Sequence, residues 1–218
     1  MNVVARPRSS GKPTKQRLLD TALEEFAARG FEGAKVDRIA RRARVNKAML
    51  YYHFRSKADL YLAILREQFG GLGEAVSAAR VPGREPAEQL RRFIDIVGRE
   101  AVTRPHFPSI WLREIAEGGR HLDATVVLAL RRVLETLAGI LSDGQRAGVF
   151  QATNPFIIQI SVVAPLMFFA ASAPFRARLG RLAHAAVVTP DLAAVIAHVQ
   201  AATLAAVVVP PASRRSPS

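Results

Sequence analysis

The chain has 218 residues, of which 50% are apolar and 22% charged, and its formal net charge is +13. The apolar content is enough to bury a core, which excludes an intrinsically disordered chain. The 14 Gly and 13 Pro follow no period, which excludes collagen-like and low-complexity proteins. The chain has no cysteine, so disulfide scaffolds and thiol nucleophiles are excluded as well.

The positive charge is concentrated in the first sixty residues. They hold 14 Lys and Arg against 6 Asp and Glu, which accounts for +8 of the net +13. A polyanion such as nucleic acid is the natural partner of a lobe with this charge. Charge alone is equally compatible with a solvated basic surface, so the choice depends on the helices that carry it.

The chain is predicted to be all-α, with about nine helices, because apolar residues recur every three or four positions. The first helix, about 14–29, has one apolar stripe and is ended by Gly30. In the helix that opens after Ser56, Gly70 and Gly71 are expected to weaken or bend the structure. Later helices follow Pro or capping signals and are predicted from 86 onward and at 105–118, 122–147, 155–173 and 190–209.

The strongest local pattern lies in residues 36–53. Two short helices, about 36–43 and 47–53, are joined by a tight turn at Arg44-Val45, and Asn46 is placed to cap the second helix. Helices this short are unstable alone, so they must pack on the helices before and after them. The pattern predicts a helix–turn–helix within a small helical head.

The second short helix is predicted to expose two adjacent tyrosines. Leu50 and Phe54 fall on its buried side, whereas Tyr51 and Tyr52 fall on the outer side beside small residues. Such a face fits base edges and phosphates, and the start of the helix would enter the major groove first. Lys57, at the start of the next helix, is predicted to hold a phosphate.

Residues 14–66 resemble the DNA-binding head of the TetR/AcrR family of bacterial transcriptional regulators. The resemblance is specific because the order of the residues, their spacing and the aromatic run agree together. It covers about a quarter of the chain. The residues that carry it are Leu18-Leu19-Asp20-Thr21-Ala22, Phe26, Gly30-Phe31, Val36, Ile39-Ala40, Ala43, Val45, the run Asn46 to Phe54, Ser56-Lys57 and Leu60.

The resemblance implies a homodimeric transcription factor, most commonly a repressor. Its two heads would read the halves of a palindromic double-stranded DNA operator, and an effector bound in its body would shift the population to a head spacing that cannot span the two half-sites. By the same resemblance, the DNA-facing residues are Lys35, Arg44, Asn46, Lys47, Ala48, Met49, Tyr51, Tyr52, His53 and Lys57.

Two positions depart from the family pattern. Lys35 stands where many members have a capping Thr or Ser, and Lys cannot cap a helix, although it could reach a phosphate. Arg44 stands in the turn where many members have Gly. If that turn is left-handed, Arg44 is strained there, because only glycine adopts this conformation without steric cost.

Two segments near the end of the chain are almost uncharged. Residues 151–175 carry no charge, and residues 182–213 carry one, on Asp191. They could form a transmembrane hairpin at 155–173 and 190–209, or two helices buried partly against a second subunit. Polar residues within both segments favour the homodimer over the membrane. The predicted dimer contacts are Ile157, Ile160, Val162, Leu166, Leu192, Val195 and Val199.

A regulatory pocket for a small lipophilic effector is predicted within residues 60–175. The candidates are mainly aromatic, and aromatic residues at helical spacing usually belong to the core, so each candidate has an alternative packing role. The candidate lining residues are Phe69, Phe93, His106, Phe107, Trp111, His121, Met167, Phe168 and Phe169.

No enzyme activity, cofactor or metal site is predicted. The 5 histidines of the chain lack metal-ligand spacing, and the sequence has no glycine-rich phosphate loop or nucleophile elbow. His106 with Glu114 or Glu117 could form an acid–base pair, but a histidine in the core or at the surface is the simpler interpretation.

The predicted organisation has four parts. A basic arm (1–13) precedes the DNA-binding head (14–59), and an effector-binding and dimerisation body (60–209) precedes a tail (210–218). The arm contains no apolar signal segment. The protein is therefore expected in the cytoplasm, associated with the nucleoid.

Overall fold

The computed structural model describes residues 13–182 and 190–210. These residues contain ten α-helices, and their only β pairing is an isolated antiparallel bridge between Phe150 and Val208. The all-α prediction is confirmed, with one helix more than expected. The helices are α1 Thr14–Gly33, α2 Val36–Arg42, α3 Lys47–His53, α4 Lys57–Ser77, α5 Pro86–Thr103, α6 Phe107–Ala116, α7 Ala124–Arg146, α8 Pro155–Ala171, α9 Ala173–Leu182 and α10 Leu192–Val207.

The chain forms two compact units that divide between residues 64 and 65, within α4. We call residues 1–64 the head and residues 65–218 the body. The division predicted from the sequence, between residues 59 and 60, stays a prediction. The predicted arm and tail lie outside the described residues, except for Pro13 and Pro210.

The head is built around one shared core. Leu18 and Phe26 of α1, Ile39 of α2 and Leu50 of α3 are fully buried. The ring of Phe26 lies 4.7 Å from that of Tyr61 in α4. Since α2 and α3 have seven residues each, this core rather than helix propensity keeps them folded.

The predicted end of the first helix is found at Gly30. Its φ of 69° and ψ of 177° interrupt α1, and a further turn continues to Gly33. The Ala34 N–H donates to the Gly30 carbonyl at 3.2 Å. This left-handed conformation is one that glycine adopts without the clash of a Cβ atom.

The glycines of α4 do not end the helix, which continues through them to Ser77. A methyl group at Gly71 would collide with the guanidinium of Arg104, and one at Gly73 would lie 3.1 Å from the Ala129 carbonyl oxygen. These two glycines therefore serve close packing within the body. The predicted weakening or bending of this helix stays a prediction.

In the body, α5 packs against α7, α8 and α10. Its buried face follows the predicted stripe and includes Leu90, Phe93, Ile94 and Val97. A methyl group at Gly98 would lie 2.7 Å from Ile196 Cγ1, so this glycine lets α5 and α10 approach closely.

Helix α9 is the element that the sequence analysis did not predict. It is bent by 52° from α8, close to the end of the uncharged segment. The Arg176 guanidinium donates to the Phe169 carbonyl and the Ser172 hydroxyl, and its Cζ lies 4.0 Å from the centre of the Phe169 ring. These contacts fix the bend.

Helix α10 begins at Leu192, two residues later than the predicted start at residue 190. Asp191 is its cap, and the Asp191 carboxylate accepts from the Ala194 N–H at 2.7 Å. At the other end, the Gln151 N–H donates to the Val207 carbonyl at 2.8 Å, and the Val209 N–H to the Val149 carbonyl at 3.1 Å. These bonds tie the end of α10 to the connection between α7 and α8.

Within the described ranges, no single helix is both long and apolar enough to cross a bilayer. Helices α8 and α9 reach that length and composition only as a pair, and the pair is bent. The hairpin alternative required a membrane-spanning helix at 155–173 and another at 190–209, and neither place has a single helix of that kind.

Candidate nucleic-acid interface

Helix α3 begins with the cap that the sequence predicted. The side-chain oxygen of Asn46 accepts from the Met49 N–H at 2.7 Å, which satisfies one free amide of the first turn. The carboxyl end is closed by the Phe54 N–H, which bonds the Leu50 carbonyl at 2.9 Å. Both ends of this seven-residue helix are thus defined locally.

The turn before α3 is left-handed. Arg44 has a φ of 56° and is the only non-glycine residue with positive φ in the described part of the chain. This conformation brings the Val45 N–H to the Ala40 carbonyl at 3.0 Å. Arg44 therefore occupies a conformation that costs a residue with a Cβ about 1–2 kcal/mol.

The outer face of α3 is aromatic and solvent-exposed. Tyr52 is 82% exposed, Tyr51 45% and Met49 41%, whereas Leu50 is fully buried. The half-buried ring of His53 meets the Tyr52 ring edge-on at 5.2 Å. The expected packing of α3 is confirmed, while the DNA contacts of these residues stay a prediction.

Two of the predicted DNA-facing cations lie at the starts of the short helices. Lys35 precedes α2, makes no side-chain capping bond and is exposed. Lys47 Nζ lies 2.9 Å from Asp37 Oδ1. The hydrogen bond to the Asp37 carboxylate raises the pKa of Lys47.

Lys57 has a role inside the head that the sequence analysis missed. Its ammonium donates to the Phe31 carbonyl at 2.9 Å and lies 4.4 Å from the centre of the Phe31 ring. The carbonyls of Glu32 and Ala34 are 3.5 Å away. A cation at these carbonyls stabilises the carboxyl end of α1, and the predicted phosphate contact of Lys57 stays a prediction.

A buried carboxylate holds α2 against α1, and it also escaped the sequence analysis. Glu25 is 2% exposed, and its Oε1 lies 2.9 Å from Arg38 Nη1. Arg42 approaches Glu25 at 3.7 Å and also pairs with Glu24. The signal was the position of Glu25 on the apolar face between Ala22 and Phe26. Arg38 and Arg42 of the head are thus paired with carboxylates of α1.

Comparison with known protein families agrees with this architecture. Residues 18–64 match the family described as "Bacterial regulatory proteins, tetR family", and residues 86–204 match "Tetracyclin repressor-like, C-terminal domain". The second match alone spans more than half of the chain. The chain belongs to the TetR family. It is a DNA-binding transcriptional regulator, as the resemblance of residues 14–66 predicted.

Individual relatives support the same assignment. The chain is 27% identical over 158 residues to the transcriptional repressor NicS of Pseudomonas putida, covering 72% of this chain and 74% of NicS. It is 39% identical over 79 residues to the transcriptional activator FasR of Mycolicibacterium smegmatis, covering 36% of each.

Solved structures show the TetR fold over nearly the whole chain. A tetR-family regulator from Rhodococcus RHA1 has a TM-score of 0.75 at 18% identity, covering 90% of this chain and 97% of that one. The fatty acid degradation regulator FadR from Bacillus halodurans has a TM-score of 0.68 at 18% identity, with the same coverage.

In this TetR-family body, several predicted effector residues belong to the core. The Phe69 ring lies 5.1 Å from that of Phe107 and 5.2 Å from that of Trp111. Phe69, Phe107, Phe93 and Met167 are all buried, and Trp111 is partly exposed. The aromatic cluster is therefore real, and its role as an effector site stays a prediction.

Other predicted effector residues do not belong to this aromatic cluster. Phe168 is 66% exposed, because it follows the buried Met167 by about 100° around the helix, so its placement in an interior pocket is wrong. His106 and Phe169 are half-buried. Two surface depressions, one beside Arg80 and Asp143 and one between α5 and α10, are lined by none of the predicted effector residues.

His121 belongs to an ion-pair network at the end of α6. Its Nδ1 lies 2.9 Å from Oε1 of the buried Glu114 and 3.9 Å from Glu117 Oε2, and Arg120 pairs with Glu117 at 2.9 Å. The histidine beside Glu114 is thus His121, and not the His106 that the sequence analysis considered. One ligand atom from each of His121, Glu114 and Glu117 lies within 4.8 Å of the others, and such donors suit a divalent cation.

The predicted dimer contacts divide between the surface and the core. Ile157 and Ile160 are exposed on α8, as predicted, and Leu192 and Val195 are half-buried. The remaining three residues are wrong as contacts between subunits, because they are buried within their own protomer. These are Val162, Leu166 and Val199.

The exposed face of α8 is nevertheless mainly apolar, with Ser161 as its polar residue. It presents Phe156, Ile157, Ile160 and Phe168 to solvent. The exposed face of α10 is made largely of alanine, including Ala194, Ala197, Ala201 and Ala205. Small residues on one helix allow close approach, and large ones on the other supply apolar area.

Proposed function

We propose that this TetR-family regulator is a homodimeric repressor that binds a palindromic operator through α3. The observation that carries the proposal is the exposed aromatic face of α3, with Tyr52 82% exposed, on a lobe with a net charge of +8 in its first sixty residues. An exposed aromatic pair is costly on a solvated surface and useful in a groove, where hydroxyls bond phosphates or base edges.

The proposed contacts follow the order of residues along α3. Asn46 and Lys47 at its start enter the major groove first. Ala48 leaves room for a thymine methyl, and Tyr51 and Tyr52 reach bases or phosphates. The remaining members of the predicted set, Lys35, Arg44, Met49, His53 and Lys57, contact the flanking backbone.

Dimerisation is proposed through α8 and α10. Support comes from the contiguous exposed apolar residues of α8 and the small residues of α10. Two copies related by a two-fold axis would present two heads to half-sites one helical turn apart, about 34–36 Å. Palindromic operators follow from that symmetry.

Release by a lipophilic effector in the body completes the proposal. Its support is the aromatic cluster of Phe69, Phe107 and Trp111, of which Trp111 is partly accessible. An effector that binds one conformation of the body better shifts the population toward it. The repressor assignment is supported by the similarity to the transcriptional repressor NicS, which covers 72% of this chain. Such a protein would act at the nucleoid in the cytoplasm.

Selection of duplexes from a random pool by the full-length protein tests this function. The expected result is an enriched inverted repeat whose half-sites are about one helical turn apart. A panel of apolar compounds is then screened for release of the labelled duplex. Failure to enrich any sequence, or enrichment of an isolated half-site, would contradict the proposal.

A further inference from the structure

The ion pair between Lys47 and Asp37 joins the first residue of α3 to the first turn of α2. Lys47 Nζ lies 2.9 Å from Asp37 Oδ1, and the side chains are 54% and 73% exposed. Neither group is needed to fill the core. The pair therefore sits at the solvent surface, at the start of the helix proposed to read DNA.

Asp37 differs in this respect from other acids of the head. Glu25 and Glu24 hold arginines of α2 against α1, and Asp59 accepts from the Arg55 N–H at 3.0 Å. Those carboxylates organise the fold. The partner of Asp37 is instead an exposed ammonium beside the aromatic face of α3.

A phosphate and the Asp37 carboxylate would compete for the same ammonium. Exposed ion pairs are weak, so a duplex can break this one, but the exchange reduces the gain from the new contact. The carboxylate is also repelled by the duplex. On arbitrary DNA, where charge supplies essentially all of the affinity, the ion pair can stay intact and the phosphate contact of Lys47 is then lost. On an operator, base contacts of α3 hold its first turn against the duplex.

We propose that Asp37 limits the affinity of α3 for duplex DNA, because its carboxylate holds the Lys47 ammonium that a phosphate would otherwise bind. When α3 is bound to the operator, the Lys47 ammonium leaves the Asp37 carboxylate and contacts the duplex instead. This inference rests on the proposed function of α3. It makes Asp37 a repulsive element, which lowers the affinity for any duplex and lowers it at least as much for the operator, where the ion pair is broken.

The test compares Asp37→Asn with Glu24→Gln in the full-length protein. Glu24 is a matched control because it is an exposed head carboxylate paired with an arginine, but on α1. Binding is measured by fluorescence anisotropy over a range of salt, with the selected operator and with a random duplex of about 30 base pairs, long enough for two half-sites. Each substitution is also made in a Lys47→Gln background, and thermal unfolding checks folding because Asp37 favours the amino end of α2.

Asp37→Asn should tighten binding to the random duplex by about two- to fivefold, and to the operator by at least as much, because the operator complex bears the full cost of breaking the ion pair. On the random duplex the salt slope should become steeper by about one, because a further phosphate contact forms. Both effects should disappear in the Lys47→Gln background, whereas Glu24→Gln should change little.

The inference is overturned if Asp37→Asn acts no more strongly than Glu24→Gln, or if its effect persists without Lys47. It is also overturned if the operator gains clearly less affinity than the random duplex. Wild-type protein could still prefer its operator if any of these results were obtained, so none of them contradicts the proposed function. Wild-type protein that shows no preference among duplexes contradicts the proposed function and the inference together.

Discussion

Helices α3 and α8 both expose large apolar or aromatic side chains, but their surroundings differ. Tyr52 of α3 and Phe168 of α8 are among the most exposed such residues in the described chain. Helix α3 lies in the cationic head, with Arg44 and Lys47 at its start, whereas residues 155–171 of α8 carry no charge.

The difference shows that exposed apolar area alone does not identify a partner. Exposure of large apolar side chains to solvent is unfavourable, so the exposed surfaces of both helices are candidate interaction sites. The adjacent charges distinguish them, because cations attract a polyanion and an uncharged apolar face fits another apolar face. Head and body should therefore respond to substitution in separable ways.

The largest effect is expected from Ile160→Arg on α8. In the proposed dimer this substitution places two guanidinium groups in an apolar interface, which costs about 3–5 kcal/mol when no partner charge is present. The dimer should dissociate at micromolar concentration, as measured by light scattering. DNA affinity should fall with it, because one head contacts one half-site.

Leu128→Arg is the matched control for that substitution. Leu128 is exposed on α7, outside the proposed interface, so its variant should remain dimeric. Val162→Arg is not a suitable test, because Val162 is buried in its own protomer and the variant should fail to fold. A normal dimer with Ile160→Arg would disprove the proposed role of α8.

A smaller effect is expected from Tyr52→Ala on α3. Operator affinity should fall by about 1–3 kcal/mol for a lost base contact, measured by fluorescence anisotropy. The exposed ring contributes little to folding, so the free energy of unfolding should change by less than about 0.5 kcal/mol. Light scattering should still report a dimer. Unchanged operator affinity would show that this face of α3 does not read DNA.

The smallest effect is expected from Arg44→Gly, which tests how firmly the turn fixes α3. Glycine relieves the left-handed strain at this position, but it also increases the conformational entropy of the unfolded chain. The net effect should stabilise the head by about 0.5–1 kcal/mol. Thermal unfolding measures the change. Arg41→Gly is the control with opposite sign, because glycine within a helix destabilises it by a similar amount. Destabilisation by Arg44→Gly would mean that the arginine side chain holds the turn.

The head was predictable from the sequence because its signals are local. Asn46 caps α3, Leu50 repeats the apolar spacing, and Gly30 breaks α1 where the stripe ends. The left-handed turn at Arg44 was anticipated only through the family resemblance, because nothing in arginine itself favours that conformation.

The body was less predictable because its contacts are not local. Helix α8 is apolar all round, so periodicity could not show that Val162 and Leu166 face inward while Ile157 and Ile160 face outward. The network of Glu114 and His121 joins α6 to the turn that follows it. Spacing along a single helix does not reveal such a pair.

The hydrogen-bonded end of α10 has a practical consequence for measuring assembly. Val209 is exposed, yet its N–H is fixed to the Val149 carbonyl at 3.1 Å. The chain has no cysteine, so Val209→Cys would introduce a single thiol for a fluorescent label. A dye on that anchored residue would follow the body. Energy transfer between donor- and acceptor-labelled copies would then report subunit exchange while the protein is bound to its operator.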